Sequence, residues 1–226
     1  MELLFEDKLY PITAEVGFFD SSLPVIADAF GEWQKKILRP SGMYLEKLDI
    51  NGNLEEILLR LLPLTIPIHC RYVFIPTRNN WTAFFSNGRR GTDSAGPVHV
   101  LSKVINRRAV RVVAVKNSAL NPPDRYASTI LEICNPDSTR RTIYAANDGG
   151  KWVFGETGTP FSFEELEKYR SKRIVDRFTA ELLDRYLKHI GISAFDDGFY
   201  APGKKAILFE KRGVLLSKIT ELPWKR

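Results

Sequence analysis

The sequence predicts an α+β fold: an antiparallel sheet, made of a hairpin plus a meander and packed with several helices. Three observations carry this reading. Segments after residue 70 alternate apolar and polar residues with period two and are joined by Asn, Asp, Gly and Pro turns. Other segments repeat apolar residues at helical spacing. The order of the two kinds of segment lacks the regular strand-helix alternation that demands a parallel sheet.

The elements follow in chain order. Leu9 to Phe19 has enough regularity for a strand only. Ser22 can cap a helix that tolerates Pro24 in its first turn and sets Ile26, Phe30, Trp33 and Ile37 on one face, until Pro40-Ser-Gly42 ends it. Asn53 with Glu56 reads as a capping arrangement ahead of the stripe Leu54, Ile57, Leu58, Leu61 and Leu62, which stops at Pro63. Arg71 to Pro76 and Trp81 to Ser86 form a hairpin about the turn Thr77-Arg-Asn-Asn80. Thr92 to Arg108 is a helix with capping candidates Thr92, Asp93 and Ser94, Pro97 in its first turn and the basic end Arg107-Arg108. Ala109 to Val115, Tyr126 to Cys134, Thr139 to Ala146 and Lys151 to Phe154 are strands, the last three a meander. Ser162 and Glu165 read as a capping box opening a long helix through Leu166, Ile174, Phe178, Leu182, Tyr186 and Ile190, with Gly191 as its stop. Ala206 to Glu210 and Val214 to Ile219 close as a short hairpin about Lys211-Arg-Gly213. Residues 1–226 read as a single domain, with residues 1–65 either in the same core or forming a helical lobe.

Composition bounds the function. With 226 residues, 44% hydrophobic and 27% charged, the chain can build a core, which excludes disorder, collagen and a disulfide scaffold. The longest apolar run, Leu61 to Ile68, is too short to span a bilayer and is broken by Pro63, Thr65 and Pro67. The acidic start, Met1 to Asp7, lacks the basic and apolar regions of a secretory signal, so the chain reads as intact and cytoplasmic, with no membrane partner. The net charge of +6 is uneven: residues 1–75 hold 7 basic against 11 acidic residues, 76–150 hold 11 against 5, and 151–226 hold 15 against 11. An acidic partner would be steered to the chain after residue 75. Cys70 and Cys134 lie in apolar segments and read as core thiols.

Few motifs point to chemistry. No CxxC pair, HExxH or Gly-x-Ser-x-Gly elbow occurs, so no metal, cofactor or catalytic residue is assigned. Asn87-Gly-Arg-Arg-Gly-Thr-Asp93 joins a strand to a helix, where backbone amides with Arg89 and Arg90 can hold an anion; Asn87 and Asp93 equally suit a plain turn and cap. The segment lacks the lysine of a nucleotide-binding loop. Asp148 and Asp196-Asp197 can bind a metal or serve as bases, or simply be turn residues. Arg107, Arg108, Arg111, Arg140, Arg141 and the helical stripe Arg170, Arg173, Arg177, with Trp81, Phe84, Tyr126, Tyr144 and Trp152 on nearby strands, can grip phosphates and stack bases. Glu167, Asp176, Glu181 and Asp184 dilute that stripe.

Trp81-Thr-Ala-Phe-Phe-Ser-Asn-Gly-Arg-Arg-Gly-Thr-Asp93, Asn147-Asp-Gly-Gly-Lys-Trp-Val-Phe154 and Arg177-Phe-Thr179 resemble a family of uncharacterised bacterial cytosolic α+β proteins. In general type the chain is similar to immunity proteins that neutralise bacterial toxins, a resemblance that carries no residue roles. It implies a non-enzymatic protein that binds another protein through an acidic partner surface. The alternatives are nucleic-acid binding through the arginines, and an enzyme or binder for a phosphorylated small molecule at residues 87–93, with Asp93 or Asp148 as base.

Overall fold

A computed structural model describes residues 3–4, 8–116, 126–201, 203, 205–213 and 218–224; the side chain of Asp148 lies outside that description. Nine strands form one sheet in which every neighbouring pair is antiparallel. In chain order the strands are β1 (Glu15–Asp20), β2 (Tyr44–Ile50), β3 (Leu64–Ile66), β4 (Arg71–Pro76), β5 (Trp81–Ser86) and β6 (Ala109–Val115), then β7 (Ser128–Cys134), β8 (Arg140–Asp148), β9 (Lys151–Thr157), β10 (Ala206–Arg212) and β11 (Thr220–Leu222). The sheet runs β2-β10-β4-β5-β1-β6-β7-β8-β9, and β3 pairs separately with β11. The helices are α1 (Leu23–Leu38), α2 (Leu54–Leu59), α3 (Ala95–Val104) and α4 (Ala180–His189). The molecule is thus α+β, and the hairpin β4-β5 and the meander β7-β9 are present.

Both faces of the sheet are covered, which is why its central strands are apolar on both sides. One face carries Phe19, Tyr72, Phe74, Phe84, Ala109 and Phe209 beneath α1 and α3. Phe30 of α1 is its centre: fully buried, it meets the rings of Trp33, Tyr72, Phe74, Phe84 and Phe209 at centroid distances of 5.0–5.9 Å. The opposite face carries Val73, Ile75, Phe85, Val110, Leu131 and Ile143, packed with α2, α4 and the chain around Tyr169, Phe199 and Tyr200. The α1 face is rotated from the expected stripe. Ile26, Ala27, Phe30, Gln34 and Leu38 are buried, whereas Ile37 is 52% exposed.

Several expectations need correction. Residues 162–179 are not α-helical; they run through 3-10 turns at Lys168–Arg170 and Ile174–Asp176, and α4 starts only after Thr179, whose side chain accepts from the Leu182 amide. The capping box of Ser162 and Glu165 does not form. The Glu165 amide instead donates to the Tyr186 hydroxyl, and Glu164 turns inward to Arg141 and Tyr169, so tertiary partners displace the helix. Arg170, Arg173 and Arg177 therefore share no helical stripe.

The C-terminal hairpin is likewise replaced. β10 inserts between β2 and β4, and β11 pairs with β3; of the expected partner strand, residues 214–217 lie outside the described residues. Residues 1–65, read either as part of the same core or as a helical lobe, supply the inner strand β1 and the edge strand β2 of the same sheet. Cys134 is buried at the end of β7, where burial pushes its thiol up to about 11. Cys70 is half-buried just before β4 rather than in the core.

Candidate functional site

The joint between β5 and α3 is built around buried polar groups. Asn87 has no exposed surface, and its side-chain oxygen accepts from the amides of Cys70 and Arg71, each at 2.9 Å. Its side-chain nitrogen donates to the Pro63 carbonyl at 2.8 Å. Asn87 therefore staples the entry of β4 to the exit of β5 and is not an anion ligand. Gly91 takes a positive φ of +90°, and a Cβ there would run into the Pro11 carbonyl oxygen. Thr92 Oγ1 donates to the Ile12 carbonyl at 3.0 Å and accepts from the Ser86 amide at 3.0 Å. The turn is thereby pinned to both neighbouring segments.

Four backbone amides of the joint, those of Arg89, Gly91, Asp93 and Ser94, are engaged inside the protein. Arg89 N donates to Thr65 O, Gly91 N to Gly88 O, and Asp93 N to Ser86 Oγ. Ser94 donates from both its amide (2.6 Å) and its hydroxyl (2.8 Å) to Glu15 Oε1. The charge of the joint is carried by its side chains.

Those side chains line a cavity of about 560 Å³ in which Arg89, Arg90, Asp93, His69, Arg111 and Glu15 come together. Arg89, Arg90 and Asp93 are exposed at the joint. Arg111 donates from Nε and Nη2 to the two Glu15 carboxylate oxygens, each at 2.9 Å, and its Nη1 lies 3.8 Å from Glu132. Glu15 is 8% exposed and needs these donors, because an unpaired carboxylate at that depth is costly. Across the cavity, His69 Nδ1 lies 2.8 Å from Ser86 Oγ. The Asp93 amide already donates to that oxygen, so the Ser86 proton is available to an unprotonated Nδ1.

Burial lowers the His69 pKa from its ordinary value near 6.5; Asp93 and Glu15 pull it back up and Lys211 adds to the depression. Protonation is thus easier in the unfolded chain. The His69 contribution to stability is intact above about 6.5 and is lost as pH falls from there through the lower folded value. We expect the melting temperature to fall between pH 7.5 and 5.5 more steeply in the native sequence than in His69→Gln, by thermal denaturation at both pH values.

Replacing Asn87 tests the staple. Asn87→Ala leaves two part-buried amides and a part-buried carbonyl without their Asn87 partner and is expected to cost about 1–3 kcal/mol in chemical denaturation. Asn87→Asp keeps the acceptor but turns an oxygen on the Pro63 carbonyl, and is also expected to destabilise.

The other candidate residues lie elsewhere. Arg107 is exposed and lines a separate hollow with Asp20 and Trp81. Arg108 donates to Asn135 at 3.2 Å and lies over the Phe161 ring. Arg140 pairs with Glu132 at 3.0 Å. Arg141 is 2% exposed and engaged by Glu164, Glu156 and the carbonyls of Thr157 and Gly158, so it is a core ion rather than a binding residue. Arg173 pairs with Asp176, Arg177 donates to the Ser171 carbonyl over the Phe154 ring, and Arg170 is exposed. The backbone of Asp148 pairs with Lys151 at the β8-β9 turn.

His69 and Glu15 were not singled out from the sequence as site residues, and Arg111 was noted only among dispersed basic residues. The available signal was a lone arginine in the apolar strand Ala109-Val-Arg-Val-Val-Ala-Val115, which implies a buried acidic partner. Among the described residues no three His, Cys, Asp or Glu side chains gather to hold a metal ion, and no helix is long and apolar enough to cross a membrane. Comparison of the chain with models of protein families, with curated proteins and with solved structures finds no match.

Proposed function

We propose that the protein binds a phosphorylated small molecule at the joint between β5 and α3. The observation that carries this reading is the convergence of Arg89, Arg90 and Arg111 on one cavity with His69. Glu15 is paired in place with Arg111 and accepts from the Ser94 hydroxyl, and Arg89, Arg90 and Asp93 are the charged side chains exposed at the rim. Arginine suits this task, since its planar fork matches phosphate oxygens and stays charged. Ser86, the hydroxyl paired with His69, has no exposed surface, which favours binding over hydroxyl-based catalysis. The acidic-protein reading, of the toxin-immunity type, and the nucleic-acid reading both want the arginines on one surface. The separate engagements of Arg108, Arg140, Arg141, Arg173 and Arg177 lend neither any support.

A thermal-shift titration with inorganic phosphate, pyrophosphate and ribose 5-phosphate tests it. At least one is expected to raise the melting temperature at millimolar concentration, less so at high salt. Arg90→Ala is expected to weaken that ligand about tenfold, while Arg173→Ala leaves it unchanged. No stabilisation by any of the three would overturn the assignment.

A further inference from the structure

The sheet ends on two edge strands, β2 and β9, and they differ in what they offer to another strand. The Asn147 amide donates to Ala127 on the β7 side, so the backbone groups of Thr142, Tyr144, Ala146 and Asp148 face β9. Their register partners Lys151, Val153, Gly155 and Thr157 face back to β8. Trp152, Phe154 and Glu156 therefore turn their N–H and C=O groups away from the sheet. Among the described residues nothing bonds to those groups: the 3-10 turn Ile174–Asp176 lies against β9 and β8, and Arg177 over the Phe154 ring, without a backbone bond to the strand. β9 pairs with β8 along its whole length without a bulge and holds no proline, so it lacks the usual guards of an edge.

We infer that β9 pairs antiparallel with β9 of a second copy of this chain, about a two-fold axis at Phe154. That register sets Phe154 against Phe154 and Trp152 against Glu156, and it satisfies every outward N–H and C=O of the three residues. Lys151 falls opposite Thr157, so no charge on the strand meets its like. The side chains fit the same operation. The Tyr144 ring lies over Gly155, where a Cβ would run into it, and Val153 is 38% exposed on that face. Gly155 of one copy lies opposite Val153 of the other, which covers the exposed valine with the tyrosine ring. The opposite edge does not share this self-complementarity. The Lys211 amide donates to Cys70 on the β4 side, so β2 turns Leu45, Lys47 and Asp49 outward, and the register using all three would set Lys47 against Lys47. Lys47 and Asp49 are engaged instead by Asp28 and Lys205. Pairing through β9 alone closes as a dimer rather than growing into a filament.

Sedimentation of the full chain is expected to give the mass of two chains at micromolar concentration. Trp152→Pro removes an outward N–H but no bond to β8, and is expected to give the mass of one. Because that variant also deletes a half-buried ring, melting curves accompany it and a cysteine pair supplies a second measurement. Lys151 and Thr157 are exposed, and in this register they form a non-hydrogen-bonded pair about 4.5 Å apart at Cα, a span that a disulfide bridges. A mixture of Lys151→Cys and Thr157→Cys chains is expected to form a covalent dimer on mild oxidation. Each variant alone, and the native chain with Cys70 and Cys134, is expected to stay uncrosslinked. A single-chain mass at every concentration, or crosslinking no greater in the mixture than in either variant alone, would overturn the proposal.

Discussion

Arg141→Ala is expected to lower the stability of the protein by about 3–5 kcal/mol, a fall in Tm on the order of 10 °C for a chain of this length. Arg141 is 2% exposed and the Glu164 side chain is not exposed at all. Nε and Nη2 of Arg141 reach the two oxygens of Glu164 at 2.9 and 2.6 Å, and Nη1 reaches Glu156 and the carbonyls of Thr157 and Gly158. Burial works against the Arg141 charge, but the hydrogen bonds and fields of Glu164 and Glu156 outweigh it and hold the guanidinium above its ordinary pKa. The penalty of the alanine variant comes chiefly from Glu164, left as an unpaired charge beside Tyr169, rather than from the lost attraction itself. Glu164→Gln in the Arg141→Ala background is therefore expected to recover part of the loss. A double-mutant cycle in urea should return a coupling of about 1–3 kcal/mol between the two positions. A cost below about 1 kcal/mol for Arg141→Ala would show that Glu164 finds another partner or water.

Phe30→Ala is expected to cost about 3–5 kcal/mol, by removing the ring at the centre of the α1 face. The ring touches three strands at once, through Tyr72 and Phe74 of β4, Phe84 of β5 and Phe209 of β10. Those rings are anchored in a sheet covered on its other side, so they have little freedom to collapse into the space. Phe30→Leu, which refills most of the volume, is expected to lose only about 1–2 kcal/mol. Equilibrium unfolding in urea separates the two variants. A similar loss in both would mean that ring geometry, not volume, governs the packing.

Much of the fold was legible wherever local pattern and tertiary role agree. Arg71–Pro76, Trp81–Ser86 and Ala109–Val115 appear with the bounds their alternation predicts, and Asn53 with Glu56 makes the expected reciprocal capping box. The misreadings have a common cause. Tyr44-Leu-Glu-Lys-Leu-Asp-Ile50 carries charges on an edge strand, and Leu64–Ile66 and Thr220–Leu222 are too short to show a period. Between Ser162 and Thr179 the helical spacing is real, but Glu164 and the Glu165 amide find better partners in Arg141 and Tyr186 than a helix offers.

The candidate site follows the same division. The joint at residues 87–93 stood out because Asn, Gly and paired arginines cluster in sequence. Its remaining walls, Glu15, His69 and Arg111, reach it from three distant stretches of chain, and only the sheet order brings them together.

The insertion of β10 sets an order of events during synthesis. β2 is complete by residue 50, yet its sheet partner is β10, which spans residues 206–212. As the chain leaves the ribosome, β4 keeps an open hydrogen-bonding edge, and β2 stays unpaired, while more than half of the protein is made. The nascent chain must shelter an aromatic surface and a bare strand edge until this late segment arrives, a span in which a bound chaperone would find both exposed. Translation pausing before residue 206 would lengthen that window, and release of the chain there would leave β2 without its neighbour.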